Sequence, residues 1–149
     1  MAHLLDTSIL SRLANAGDAL FGIASHAVAE LHRRGEVLHI APQNLFEFRN
    51  MATRPVANNG LGLAAVDAEA KAAIFETTFP LLVETPAIHP AWKTLVESLG
   101  VTGKQVHDAR LVAICHIHGI SHVLTFNVKH FTRLATYRPG VTVVDPATV

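Results

Sequence analysis

The residues best suited to chemistry in this sequence are three acids and one amide that lie far apart along the chain. Asp6 directly follows a short apolar run, and Glu47 lies in a segment with helical periodicity. Asp108 lies in the first turn of a later predicted helix, and Asn127 ends a late apolar segment. Residues that follow the strands of an open parallel sheet meet in a crevice at its carboxyl edge. We therefore expect all four side chains to converge at one end of such a sheet.

Three carboxylates gathered in this way require a cation between them. Two bare carboxylates about 5 Å apart repel by roughly 3 kcal/mol at an effective dielectric constant of about 20, and burial adds to that cost. Because no cysteine and no pair of histidines on one helix face lies beside the acids, the ligands are all oxygens, which suits Mg²⁺ or Mn²⁺ rather than zinc. Such an ion can lower the pKa of a bound water and position it for in-line attack on a phosphodiester.

The elements that would position these residues alternate between strands and helices. Strands are predicted for residues 3–5, 37–41, 80–84, 121–127 and 141–144. Helices are predicted after Asp6 and for residues 20–34, 42–52, 67–78, 90–99 and 106–118, with a single turn at 129–131. Residues 53–63 are predicted to form a mobile surface loop. This alternation predicts a three-layer α/β/α domain around a mainly parallel sheet, with residues 1–149 forming one domain.

The composition excludes several classes of protein. The 149 residues carry 12 basic and 12 acidic side chains, so no overall positive field attracts nucleic acid and an anionic substrate must be bound locally. No apolar stretch approaches the roughly 18 residues of a membrane span, and the N-terminus lacks the basic start of a signal peptide. The single cysteine, Cys115, cannot form an internal disulfide and is expected in the core. These features favour a soluble, cytoplasmic protein with no membrane association.

Four segments resemble the PIN-domain ribonucleases, particularly the VapC-like toxins of toxin–antitoxin pairs, and the resemblance covers essentially the whole chain. They are LDTS at residues 5–8, NLFEF at 44–48, HDARLVA at 107–113 and LTFNVKHF at 124–131. The resemblance implies the PIN fold and a metal-dependent RNA-cleaving activity, with Asp6, Glu47 and Asp108 at the positions of the family's acidic metal ligands. It also implies a cognate antitoxin protein that covers the site, and a homodimer.

One position departs from the commoner family pattern, because Asn127 stands where many members have a further aspartate. An amide oxygen can bind a metal or hold a water, but it supplies no negative charge. We therefore expect one firmly bound Mg²⁺ or Mn²⁺, and a second ion only in the presence of RNA. The side chains expected to orient the acids are those of Thr7, Ser8, Asn44 and Thr125. Thr7 or Ser8 is also predicted to cap the first helix.

Basic residues near the acids could supply the local phosphate contacts that the neutral overall charge requires. The candidates are Arg49, Lys104, Arg110 and Lys129. Arg110 lies only two residues after Asp108, so the two side chains do not share a helix face. Lys104 is therefore a better candidate than Arg110 for a phosphate contact beside the metal.

Other interpretations of the same residues remain open. Asp6 could be an ordinary helix cap, Asp108 could simply favour a helix dipole, and Asn127 could be a turn residue. Asp6 could also be the covalent nucleophile of a phosphatase resembling the haloacid dehalogenases, although Ser8 stands where their second acid belongs. A third possibility is a PIN scaffold with weakened catalysis that mainly binds RNA or an antitoxin.

Overall fold

A parallel four-stranded sheet lies at the centre of the computed structural model, which describes residues 1–149. Its strands are β1 (Ala2–Leu5), β2 (Val37–His39), β3 (His122–Leu124) and β4 (Thr142–Val144). The strand order is β2-β1-β3-β4 and every pairing is parallel. Because β2 and β3 flank β1 on opposite sides, the winding of the chain changes direction at β1. Such a switch point leaves a crevice at the carboxyl ends of the adjacent strands.

Helices cover both faces of this sheet. They are α1 (Thr7–Leu13), α2 (Phe21–Arg33), α3 (Pro42–Thr53), α4 (Ala65–Thr78), α5 (Ile88–Leu99), α6 (Gln105–His118) and α7 (Val128–Ala135). Successive β1 residues point to opposite faces, so Leu4 packs in a core with α5, α6 and α7 while Leu5 packs in a core with α1 to α4. Cys115 is fully buried in the first of these cores. The predicted three-layer α/β/α architecture is confirmed.

The strand predicted at residues 80–84 is wrong. Only one bridge forms there, between Ile40 and Leu81. Pro80 has no N–H to donate and contributes only its carbonyl, which accepts from the Ile40 amide at 3.1 Å. The side chains of Leu81 and Val83 are 42% and 70% exposed, so little burial favours an extended segment.

The end of the chain also differs from the prediction. β3 is shorter than residues 121–127, because Thr125 to Asn127 leave the strand and lead into the next helix. That helix, α7, is longer than the single turn predicted at 129–131. Phe131, Leu134 and Ala135 recur at helical spacing on its buried face, and their packing against the core stabilises the additional turn.

The first helix is capped by Asp6 rather than by Thr7 or Ser8. The Asp6 backbone is extended, and its carboxylate Oδ1 accepts a hydrogen bond from the Thr7 amide at 2.8 Å. Thr7 and Ser8 therefore already lie within the helix, and their hydroxyls are directed to other partners.

None of the seven helices has the length and apolar character needed to cross a membrane.

Candidate active site

Asp6 lies at the switch point between β1 and β3. Its amide donates to the carbonyl of Leu124 at 2.9 Å, which joins the ends of the two strands. The residue is only 4% exposed, yet its carboxylate lines a cavity that opens at this edge of the sheet. The backbone of β1 thus delivers the carboxylate to the position expected for a ligand-binding group.

Three side chains donate hydrogen bonds to the second oxygen of this carboxylate. Asp6 Oδ2 accepts from the Ser8 and Thr125 hydroxyls, both at 2.7 Å, and from Asn127 Nδ2 at 3.4 Å. The two hydroxyls also accept backbone N–H groups, since Phe126 N donates to Ser8 and Asn127 N donates to Thr125. The turn after β3 is therefore hydrogen-bonded to the groups that orient Asp6.

Asn44 connects α3 to the end of β1. Its side chain is fully buried, accepts from the Ala41 amide at 2.8 Å and donates to the Leu5 carbonyl at 3.0 Å. It also donates to the Thr7 hydroxyl at 3.3 Å, and that hydroxyl donates to Glu47 Oε1 at 3.3 Å. This chain of hydrogen bonds places Glu47 of α3 beside the first turn of α1.

The three acids influence one another electrostatically. Burial, together with the negative charges of Asp6 and Glu47, raises the pKa of Asp108 from 3.8 to about 7. Burial also raises the pKa of Glu47, while the Asp6 charge adds to the shift and a hydrogen bond from Gln43 opposes it. The fully ionised form of this site is therefore destabilised, and a bound cation would offset that cost.

One cavity of about 460 Å³ brings the predicted residues together. Asp6, Glu47, Asp108 and Asn127 all line it, together with Thr7 and Ser8. Hard oxygen ligands of this kind fit Mg²⁺ or Mn²⁺, which keep several bound waters. The acids do not close into a compact cage, since no three His, Cys, Asp or Glu side chains lie close enough together to hold a metal ion. Their spacing leaves room for water or a phosphate oxygen among the ligands.

The predicted basic residues lie in different places. Lys104 lines a second hollow, beside Arg54, His107 and His130, that shares Thr7, Ser11, Glu47, Met51 and Asp108 with the acidic cavity. His130 Nδ1 lies 3.7 Å from Asp108 Oδ2.

The other three predicted basic residues do not line the acidic cavity. Arg49 binds Glu69 through Nε at 2.8 Å, and Arg110 contacts Glu84. Lys129 lines a separate hollow near Asp145. Only Lys104 among the four lies in a hollow that reaches the acids.

Sequence reasoning missed one face of α1, continued by Asn15 just beyond its end, that also lines the cavity. Ser8, Ser11, Arg12 and Asn15 recur at intervals of three and four residues, and all four contact the same cavity. That periodicity is present in the sequence and begins at a residue already associated with Asp6. The loop residues Asn59, Gly60 and Leu61 also line the cavity, and no local pattern indicated their contribution.

Solved structures with similar folds include VapBC and VapC proteins. VapBC2 from Rickettsia felis, bound to a DNA fragment from its promoter, gives a TM-score of 0.71 at 15% identity, over 97% of this chain and 98% of that one. VapBC-1 from nontypeable Haemophilus influenzae gives 0.70 at 16% identity over 98% of both chains. Mycobacterium tuberculosis VapC20, a sarcin-ricin loop cleaving toxin, gives 0.64 at 24% identity over 88% of this chain and 94% of that one.

Comparison of the sequence with known proteins identifies the family of this chain. No match was found among curated proteins. The family model of the PIN domain matches residues 3–137, a range that contains every acid of the cavity and the strands that position them. This chain therefore belongs to the PIN-domain family.

Proposed function

We propose that this protein is an endoribonuclease that hydrolyses phosphodiester bonds of RNA with the help of Mg²⁺ or Mn²⁺. The observation that carries the proposal is the convergence of Asp6, Glu47 and Asp108 on one open cavity in a PIN-domain chain. Their mutual repulsion favours a divalent cation, and the adjoining hollow around Lys104 offers positive charge to a polyanionic substrate.

The chain's own residues prepare this site for a metal and a phosphate. When bound, the ion would neutralise phosphate charge and lower the pKa of an attacking water. Asp6, Glu47 and Asp108 would hold the ion, with at least one of them acting through the waters that Mg²⁺ keeps, because the three side chains are too far apart to bind it directly together. The hydroxyls of Ser8 and Thr125 keep Asp6 in one orientation. Asn127 donates a hydrogen bond to Asp6, whereas an aspartate at this position would repel it. This neutral contact supports a single firmly bound ion.

The toxin role and the protein partner are part of the same proposal. The similar structures include VapBC assemblies and a toxin that cleaves the sarcin-ricin loop, and these support an RNA substrate and a cognate antitoxin. The proposed homodimer rests on the family resemblance, and light scattering during size-exclusion chromatography would test it.

Metal-dependent cleavage of RNA tests the enzymatic part. The purified protein is incubated with structured RNA in Mg²⁺, Mn²⁺ or EDTA, and Asp108→Asn is compared with Asp67→Asn. Asp67 is a suitable control because it is also an acid in the first turn of a helix but is exposed and lies outside the cavity. We expect cleavage only with metal, a loss of about 100-fold or more in Asp108→Asn, and no change in Asp67→Asn. Equal rates for wild type and Asp108→Asn would refute the assignment.

A second candidate is a binding module with weakened catalysis, which the neutral Asn127 and the open arrangement of the acids favour. Titration calorimetry with Mn²⁺ separates the two candidates. The absence of measurable binding at millimolar Mn²⁺ would favour the binding module. The phosphatase alternative is disfavoured, since both Asp6 oxygens accept hydrogen bonds and the residue is 4% exposed. A trapped phosphoaspartate at Asp6 would support it.

A further inference from the structure

Arg12 is the only basic residue that lines the acidic cavity. The charged groups around it are Asp6, Asp18, Glu47 and Asp108. A single divalent cation would offset only part of this negative charge, so an incoming RNA phosphate would still be repelled. A positively charged side chain on the cavity wall reduces this repulsion directly.

The guanidinium of Arg12 is held near the cavity but is far from saturated with hydrogen bonds. Its Nη1 donates to Asp18 Oδ2 at 3.1 Å, and Asp18 Oδ1 accepts from the Leu20 amide at 2.8 Å. Arg12 Nε is shielded from solvent and has no hydrogen-bond partner, while the side chain as a whole is 37% exposed. Since an arginine has five N–H donors in a planar fork, Arg12 retains donors for a phosphate.

Arg12 and Lys104 lie in adjoining hollows that share Glu47 and Asp108. Only the first hollow contains Arg12 and only the second contains Lys104. The two shared acids therefore lie between two positive positions, and an RNA strand that crosses the acids meets a basic side chain in each hollow.

We propose that Arg12 binds a phosphate of the RNA backbone beside the bond to be cleaved, in the hollow that does not contain Lys104. This inference rests on the proposed ribonuclease function. Arginine suits phosphate binding better than lysine, because its planar guanidinium can donate two parallel hydrogen bonds to one phosphate.

Salt-dependent RNA binding and steady-state kinetics test the proposal. Wild type, Arg12→Gln, Arg12→Lys and Arg33→Gln are compared for binding of a short labelled single-stranded RNA, with Ca²⁺ replacing the catalytic metal. Arg33 is a matched control, because its side chain is 73% exposed on α2, pairs with Glu30 and lies outside the cavity. Thermal melts of each variant confirm that it is folded.

Arg12→Gln is expected to raise the Kd and the KM about tenfold, to change kcat by about twofold or less, and to lower the salt slope by about 0.7. Arg12→Lys should keep the slope, because it keeps the charge, and should recover only part of the affinity. If Arg12→Gln does not fold, full wild-type affinity in Arg12→Lys counts against the guanidinium contact.

The results separate this inference from the proposed function. The role of Arg12 alone is overturned if the wild type cleaves RNA and Arg12→Gln matches Arg33→Gln in RNA affinity and salt slope. A wild type that neither binds nor cleaves RNA overturns both. Binding of an acidic protein segment that depends on Arg12, with RNA affinity unchanged, would assign the residue to a protein partner and also overturn the inference.

Discussion

At the scale of single residues, the hydroxyl of Thr125 has more influence on the site than its chemical simplicity suggests. It donates to Asp6 Oδ2 and accepts the amide of Asn127, while the residue itself is fully buried. Replacing it with an isosteric apolar residue would leave the Asn127 N–H without this partner and remove one of the two short hydroxyl hydrogen bonds that orient Asp6 Oδ2. Buried groups that lose a partner in this way destabilise a protein by about 1–3 kcal/mol.

Thr125→Val should therefore lower both activity and stability. We expect kcat/KM for RNA cleavage to fall about 10–100-fold, because groups that orient metal ligands have effects of this size. Thr94→Val is the control, since that exposed hydroxyl bonds only to the Pro90 carbonyl within its own helix. Urea denaturation measures the stability of both variants. An unchanged kcat/KM in Thr125→Val would show that Asp6 does not depend on this hydrogen bond.

His3 gives the protein a sensitivity to acid. The residue is 2% exposed, its Nδ1 lies 3.1 Å from Glu36 Oε2, and its ring centroid lies 4.7 Å from that of His122. Burial lowers its pKa from 6.5 to about 4, although the Glu36 charge opposes the shift. The unfolded chain therefore binds more protons between these values, so this contribution to stability is present above pH 6.5 and is lost as the pH falls towards 4.

His3→Gln should reduce the loss of stability on acidification. Between about pH 7 and pH 4.5, we expect the variant to lose about 1–2 kcal/mol less than the wild type. His26→Gln is the control because His26 is exposed on α2. Urea denaturation at several pH values measures the difference. Parallel pH profiles for wild type and His3→Gln would contradict this explanation.

At the scale of elements, the segment between α3 and α4 forms part of the cavity wall. It includes a 3-10 turn at Val56–Asn58 and returns to α3 through hydrogen bonds from the Leu61 amide to Met51 and from the Leu63 amide to Ala52. Gly60 allows this close return, because a Cβ there would lie 2.0 Å from the Arg54 carbonyl oxygen. The loop can approach the helix only if this position has no side chain.

Gly60→Ala should displace the segment from the cavity. We expect a loss of about 2 kcal/mol in stability and a higher KM for RNA, because backbone rather than a flexible side chain must move. Gly22→Ala is the opposite case, since nothing lies within 4 Å of a Cβ at that helical position. It should be neutral or stabilising by up to about 1 kcal/mol. Equal melting temperatures for the two variants would contradict the packing argument.

At the scale of the whole molecule, metal binding and folding should be linked through Asp108. Its pKa of about 7 lies above the ordinary value of 3.8, so the folded protein binds more protons than the unfolded chain between these values. Without metal, this group makes the protein less stable as the pH rises from 3.8 towards 7. A bound cation would remove this cost and stabilise the folded state by mass action.

Mn²⁺ should therefore raise the Tm more at about pH 8 than at about pH 6, because protons compete for the ligands at the lower value. In EDTA at about pH 8, Asp108→Asn should be more stable than the wild type by about 1–2 kcal/mol, a figure reduced for partial solvent screening. Asp67→Asn should match the wild type. Melting curves with and without Mn²⁺ measure these effects, and a Tm that does not respond to millimolar Mn²⁺ would argue against a metal site.

Local sequence determines much of the fold. The alternation of strand and helix patterns predicts the α/β/α layers, and it predicts that the acids meet at the carboxyl edge of the sheet. Local patterns mislead where tertiary contacts decide, as at Pro80, where exposure prevents a strand, and in α7, where burial of Leu134 extends a helix. The family resemblance selected Asp6, Glu47 and Asp108 as candidate metal ligands, and this role stays a prediction. Only the folded chain pairs Arg49 and Arg110 with glutamates outside the cavity and places Arg12 on its wall, because side-chain pairing depends on contacts between distant segments.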